Sequence, residues 1–406
     1  MRAMLDFEDA LARLLAAAVP VCETETVPTQ SAAGRILAQG LRSTIDVPPL
    51  DNTSMDGYAL ACADVPVAGT QLVVAQRIPA GSVGHVLTPG TAARIFTGAP
   101  LPAGADAVVM QELCALEGGC VTVNHVPRTG EWIRRRGEDI AAGSEVIAAG
   151  TRLSASHLGV AASVGVASLA VFRRLRVALF STGDELAMPG EALKPGGIYN
   201  SNRYTLRALL EGLGCEVADF GIVPDRRDAT CAALREAAAA NDLILTSGGV
   251  SMGEEDHVKP AVEAEGTLAL WKIAIKPGKP LAFGAVRREV GAGGTAASFI
   301  GLPGNPVSSF VTFVMLVRPF ILKAQGASSV MPRAQKLRAD FECKGDLRRE
   351  FLRARLNAEG GLELFPNQSS GVLTSCTWAD GLIDNPPGQA IGRGDTVRFL
   401  PFSELI

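Results

Sequence analysis

Lysine is scarce in this chain: of 38 basic residues only eight are Lys, and Lys272, Lys276 and Lys279 fall within one eight-residue window. On an extended strand, period two places Lys272, Ala274 and Lys276 on one face and Trp271, Ile273 and Ile275 on the other, toward a core. Pro277-Gly-Lys-Pro280 then turns and stiffens the chain, bringing Lys279 near the same face. Three ammonium groups on a rigid platform suit a phosphate or another oxyanion. The same spacing also fits an exposed sheet edge guarded by lysines.

Three further stretches carry the residue types that could complete such a site. Ser181-Thr-Gly-Asp-Glu185, Thr246-Ser-Gly-Gly-Val-Ser251 and Ile300-Gly-Leu-Pro-Gly-Asn-Pro-Val-Ser308 each follow a short apolar, strand-like run. In the first, Gly183 permits close approach by a ligand, and Asp184 and Glu185 could hold a hard cation or simply line a solvated loop. In the second, glycines and hydroxyls ahead of a helix form a cradle of N–H groups for an anion. Glu254, Glu255 and Asp256 follow at once, either to share Mg²⁺ with phosphate oxygens or to stabilise the dipole of that helix. In the third, Pro303 and Pro306 fix φ around Gly304, and a helix starting at Asn305 or Pro306 holds Ser308 and Ser309 in its first turn. Asp225, after Val223-Pro224, falls at another strand end.

The elements that position these loops alternate in period. Strands over 177–180, 217–223, 243–245, 268–275 and 299–302 alternate with helices over 201–213, 229–240, 258–264 and 307–323. That alternation predicts a doubly wound α/β sheet, whose right-handed crossovers send all the strand-end loops to one edge, where open α/β sheets bind ligands. Short β-type runs between 72 and 147, separated by Gly and Pro clusters, predict a β-rich insertion. Residues 332–406 read as a small C-terminal β-barrel-like unit. A helix over 5–18, stopped by Pro20, and one over 154–164 with a Ser cap predict a small mixed N-terminal unit. The expected division is 1–48 with 141–174, 49–140, 175–328 and 329–406. Arg134-Arg-Arg136 is an anion patch or a solvated face.

A net charge of −4 argues against a chain whose task is coating nucleic acid. The eight cysteines show no C-x-x-C pair, and with four scattered histidines they read as reduced thiols rather than a zinc or disulfide framework. The N-terminus runs into Asp6, Glu8 and Asp9 without a leader pattern, and no apolar run is expected to reach membrane-spanning length. The expectation is a soluble, cytoplasmic protein with no membrane partner.

Taken together in order, DNTSMDGYAL, TGAPLPAGADAVV, RRRGEDI, STGDEL, YNSN, SGGVSMGEEDHVK, WKIAIKPGKP and GLPGNPVS resemble the molybdopterin molybdenumtransferase family, the MoeA type shared by the gephyrin E-domain. The resemblance spans essentially the whole chain. It implies an elongated homodimer of four-domain protomers, with an α/β domain of molybdopterin-binding type and an active cleft shared between subunits. It also implies an activity: insertion of molybdenum from molybdate into adenylylated molybdopterin, with Mg²⁺-dependent release of AMP.

The residues implicated by the motifs are Asp56, Thr97, Asp139, Glu185, Asp225, Asp256, Lys272, Lys276, Lys279, Pro303 and Pro306. Ser251 and Ser308 join Lys276 and Lys279 as the molybdate pocket, Glu185, Asp225 and Asp256 as Mg²⁺ ligands, and Asp56 and Asp139 reach in from the partner subunit. A molybdopterin adenylyltransferase and apo-molybdoenzymes or cofactor carriers are the implied functional partners. Glu255 and His257 depart from the pattern of many relatives and receive no role; His257 is a proton carrier or a polar residue at a helix start. Two other readings differ in class. A molybdopterin adenylyltransferase shares the TGDE and SGG-type loops but is a short single domain, and residues before 150 and after 330 argue against it. A receptor-anchoring scaffold, as in gephyrin, would need a long linker or groove that these residues do not display.

Overall fold

The computed structural model describes residues 4–249, 257–288 and 296–406. At its centre lies a six-stranded sheet with strands in the order Glu216–Val223, Arg176–Thr182, Leu243–Ser247, Ala296–Leu302, Pro280–Arg287 and Gly266–Lys272. The first four run parallel, Pro280–Arg287 runs antiparallel to them, and Gly266–Lys272 pairs antiparallel with it. Strand sequences such as Val177-Ala-Leu-Phe180 are apolar throughout because both faces are covered. Val177 and Leu179 meet Leu206, Leu209 and Leu210 of helix Ser201–Gly212 on one face. Ala178 and Phe180 meet Leu234 of helix Arg227–Ala240 and Val258 and Val262 of helix Val258–Glu265 on the other. The i, i+3, i+4 spacing of Leu206, Leu209 and Leu210 builds the apolar stripe that the sheet buries. Asn200 starts that helix, its side chain accepting the Arg203 N–H.

The segment 306–324 is helical throughout, with Pro306–Thr312 and Arg318–Ala324 joined by a wider π-type turn over Phe313–Val317. Pro319 has no N–H to offer the carbonyl four residues back, and the widened turn falls just before it. Contrary to the expectation that no apolar run has spanning length, this one is 19 residues long with mean hydropathy 1.6. It is nonetheless a core helix, with 94% of its apolar window buried in protein.

Three features of the chain's organisation stand out: two are contacts that cross the expected division, and one corrects the reading of the lysine run as a single strand. Helix Phe7–Ala17, capped by Asp6, buries Phe7, Ala10, Leu11 and Leu14 in the α/β core rather than in an N-terminal unit. What remains of that unit is built from strands Thr24–Pro28 and Ser168–Phe172 and helix Ala155–Ser163, around Leu37, Leu153 and Val171. Second, the lysine-bearing run is not one strand. Gly266–Lys272 pairs with Pro280–Arg287 until Lys272 meets Pro280, which has no N–H to continue the ladder. Ile275–Lys276 then joins a different sheet, parallel to Arg349–Leu356 of the C-terminal unit. Ile273 and Ile275 are buried as expected, but Lys272 and Lys276 do not share one sheet. Third, the C-terminal sheet (Ile275–Lys276, Arg349–Leu356, Gly381–Asn385, Thr396–Pro401, Gln335–Arg338, with Leu362–Leu364 beside Arg349–Leu356) draws a strand from within 175–328. Phe351, Leu382, Leu400 and Leu405 of that unit share the core that covers the α/β sheet.

The β-rich insertion is a six-stranded sheet in the order Ala107–Met110, Gly57–Leu60, Thr91–Ile95, Thr70–Ile78, Cys120–Val123, Cys114–Glu117. Tyr58 and Leu60 face one small core and Ala59 the other.

Candidate active site

The parallel register fixes where the strand-end loops meet. Ser181 pairs with Ser247 and Ser247 with Leu302, so the three glycine-bearing loops leave neighbouring strands at the same level. The chain passes from Arg176–Thr182 to a strand on one side and then to one on the other, which makes the gap between Thr182 and Ser247 a topological switch point. An open cavity of about 660 Å³ lies there. Thr182, Gly183 and Glu185 line it from the first loop, Gly248 and Gly249 from the second, Pro303, Gly304, Asn305 and Ser308 from the third, and Asp225 from the neighbouring strand end.

The second loop is tight. Gly248 and Gly249 have φ of +90° and +64°, which side-chain-bearing residues adopt only with strain. A Cβ on Gly249 would come within 2.4 Å of Val258 Cγ2 and 2.9 Å of Thr182 Oγ1, so only glycine lets this loop close on the first. The third loop is held from two sides: Asn202 Nδ2 donates to the Gly304 carbonyl at 2.8 Å, and Val307 N–H donates to the Ser370 carbonyl at 3.0 Å. Pro306 occupies the first helical turn after the Asn305 cap, which leaves Ser308 buried within it but lining the cavity.

The hairpin loop between Lys272 and Pro280 forms the opposite wall through Lys276, Pro277, Gly278, Lys279 and Pro280. Lys276 Nζ lies 3.0 Å from Glu350 Oε1 and 3.2 Å from Asp346 Oδ2, and these carboxylates, Glu350 foremost, raise its pKa. Lys279 is exposed and, among the described residues, pairs with no carboxylate. Arg348 adds a third cation; its guanidinium, with its own N–H, holds Asp346 far below the usual carboxylate range. The site therefore joins a wall of carboxylates and N–H groups to a wall of cations.

Sequence reasoning did not find Arg348, Gln368, Ser369 and Ser370, all from the C-terminal unit. The Gln368–Ser370 part of this wall is built on Arg353, 1% exposed, whose guanidinium donates to Ser375 Oγ at 3.2 Å and to the carbonyls of Phe351 and Ser369 at 3.1 and 3.4 Å. Burial without a carboxylate partner pushes its pKa down to about 10. Gln368 closes the turn, its side chain accepting from Arg353 N–H at 2.9 Å and donating to the Arg353 carbonyl at 3.0 Å. Arg353→Met should leave those acceptors unpaired and cost about 2–3 kcal/mol of stability. Chemical denaturation checks this, and an unchanged midpoint would refute the bracing role.

Of the remaining expected residues, the described ones do not line this cavity. Asp56 and Thr97 come together in the β-rich sheet, where Asp56 Oδ1 accepts from Thr97 N–H at 2.8 Å and from Thr97 Oγ1 at 2.7 Å. The Thr97 N–H is the chief cause of the lowered Asp56 pKa. Asp139 is exposed near the Arg134-Arg-Arg136 run, where Arg135 donates to Asp51 at 2.7 Å and Arg136 pairs with Asp46 at 2.5 Å. Lys272 and Pro306 do not line the cavity. Ser251, Glu254, Glu255 and Asp256 lie outside the described residues. His257 stands at the start of helix Val258–Glu265 and makes no side-chain cap.

Comparisons with known proteins match this architecture along the chain. A family profile described as "MoeA N-terminal region (domain I and II)" matches residues 5–165, "Probable molybdopterin binding domain" matches 178–323, and "MoeA C-terminal region (domain IV)" matches 336–402. The molybdopterin molybdenumtransferase of Haemophilus influenzae is 42% identical, covering 99% of this chain and 100% of its own length. The enzyme of that name from a Nostoc species is 38% identical over 93% of this chain and 88% of its own. Among solved structures, the molybdopterin biosynthesis MoeA protein of Pyrococcus horikoshii OT3 aligns with a TM-score of 0.83 at 28% identity, covering 98% of this chain and 100% of that one. Matched in all three of its regions, the chain belongs to the MoeA family of molybdopterin molybdenumtransferases.

Proposed function

We propose that the protein completes molybdenum cofactor synthesis by moving molybdenum from molybdate to adenylylated molybdopterin, with release of AMP. The observation that carries this reading is the cavity at the switch point of the sheet, where Lys276, Lys279 and Arg348 face Ser308 and the Gly248–Gly249 loop. Cations, hydroxyls and loop N–H groups converging on one space suit a tetrahedral oxyanion beside a phosphate. Glu185 and Asp225 line the same space, and a donor set of two carboxylates fits Mg²⁺, which keeps waters and phosphate oxygens as its other ligands. With Asp256 they would hold Mg²⁺, which when bound would neutralise pyrophosphate charge. The protein's own groups orient the anhydride and the molybdate; the pterin's two thiols replace oxygens of molybdate, which leave as water, and water adding across the P–O–P link gives AMP and leaves the pterin its own phosphate. No covalent enzyme intermediate is needed.

The working unit is a homodimer. Asp56, Thr97 and Asp139 do not line the cavity of their own chain, and a second copy offers them a site to complete. The molybdopterin adenylyltransferase that makes the substrate, and the apo-molybdoenzymes or carriers that take the product, are the expected partners. Eight free thiols suit the cytoplasm.

The deciding experiment combines purified protein, adenylylated molybdopterin, Mg²⁺ and molybdate, and follows AMP and the reconstitution of an apo-molybdoenzyme. Absence of AMP release sinks the assignment. Asp256→Asn should abolish turnover, by about 100-fold or more for a group that acts in the transition state, while molybdopterin binding persists. Loss of binding as well would make the carboxylate structural.

A further inference from the structure

Two of the three cavity cations are already engaged. Asp346 stands between them, Oδ2 lying 3.2 Å from Lys276 Nζ and Oδ1 3.2 Å from Arg348 Nε, while Oδ2 also lies 3.3 Å from Arg348 Nη2. Its two oxygens thus engage donors on both of these cations, Lys276 Nζ and Arg348 Nε and Nη2. The second carboxylate on Lys276 differs in kind. The Glu350 side chain is 2% exposed and that of Asp346 24%, and Glu350 also accepts from Asn385 Nδ2 at 3.4 Å. Glu350 is fixed within the C-terminal core; Asp346 sits on a loop at its margin.

We propose that Asp346 is an internal competitor of the oxyanion, a carboxylate that pairs with Lys276 and Arg348 and is displaced from them when molybdate binds. The proposal rests on the reading of this cavity as the molybdate pocket. A cluster of cations without counter-charge holds its shape poorly, because like charges repel and long side chains keep their rotamer freedom. Asp346 neutralises the pair and fixes both donors near the cavity. The same contact opposes binding, since a dianion must either displace the carboxylate or stand beside it. Glu350 cannot be the displaced group, because its carboxylate is enclosed and would lose its partners without reaching water.

The division of labour gives the two carboxylates opposite signatures. In Asp346→Asn the amide oxygen still accepts the Arg348 N–H, made at 3.0 Å by Asp346 Oδ1, so the turn is kept while the competing charge is lost. Molybdate alone, titrated calorimetrically into the full-length protein, should bind this variant about fivefold more tightly than wild type, the size of effect expected for a partly exposed ion pair. Glu350→Gln should bind it more weakly, because Lys276 loses its anchor. Asp346→Ser, which also removes the charge, supplies a second test should the amide variant fold poorly, and should show the same gain.

Unchanged or weaker binding in the Asp346 variants, with wild type still binding molybdate, overturns this inference and leaves the oxyanion pocket standing. An equal gain in Glu350→Gln also overturns it, since affinity would then follow net charge alone. If wild type and all variants bind no molybdate, the pocket reading falls and this inference with it.

Discussion

Lys279→Ala is expected to raise the molybdate concentration needed for half-maximal AMP release by about 10- to 100-fold, the effect of losing a charged hydrogen bond of about 1.5–3 kcal/mol. The reason is local. Lys279 lines the cavity, is exposed, and among the described residues has no carboxylate to satisfy it. Its ammonium is therefore available to an incoming anion at little cost. Lys276→Ala should weaken molybdate dependence too, but it also strips Glu350 of its cation, so stability falls alongside affinity. Arg135 is the control. Its guanidinium is held by Asp51 at 2.7 Å in the β-rich unit, away from the cavity, and Arg135→Ala should leave molybdate dependence nearly as it is. Equal loss at all three positions would deny the lysines any special claim on the anion.

The second large effect concerns the proposed dimer. At a molybdate concentration that half-saturates wild type, Asp56→Asn and Lys279→Ala should each lose most activity, one by removing the carboxylate at Thr97 and the other by removing one of the three cations that line the cavity. If the Asp56 of one chain completes the cavity of the other, co-expressing the two variants should restore about a quarter of wild-type AMP release: random pairing makes about half the dimers mixed, each with one intact site of two. Differently tagged chains allow the mixed dimer to be isolated and assayed directly. An inactive mixed dimer would mean that the site does not combine groups from both subunits.

Much of the cavity was legible in the sequence because its parts are strand ends. An apolar run followed by Gly, Pro and small polar residues marks a chain leaving a buried strand, and parallel pairing aligns such exits without further information. Ser181, Ser247 and Leu302 in register are that alignment realised. The lysine run was legible as a chemical cluster but not as a shape. The alternation of Ile273 and Ile275 with Ala274 and Lys276 looks like one strand, whereas Pro280 ends the pairing and sends the run into another sheet.

Strand Pro280–Arg287 had no clear signal, since a proline at its start and the Gly284-Ala285 step interrupt its period. Gly284 is there because the Thr267 carbonyl would lie 2.0 Å from any Cβ, a demand set by the neighbouring strand. Arg348, Ser369 and Ser370 were invisible for a related reason. They are polar residues in turns, and their places are set by side-chain contacts, Ser369 by the buried Arg353 and Arg348 by Asp346. Helix Phe7–Ala17 was read correctly as amphipathic, but its stripe cannot say which surface will cover it.

The strand Ile275–Lys276 has an implication for how this protein can be taken apart. A cut near residue 329 looks natural from composition, yet it would leave the C-terminal sheet without its edge strand and the α/β sheet without Phe351, Leu382 and Leu400 as cover. Neither fragment would inherit a finished surface, and the lysine loop would lose the backbone that holds it. Such a protein resists being shuffled as modules: its catalytic unit and its tail must be inherited, expressed and engineered as one piece.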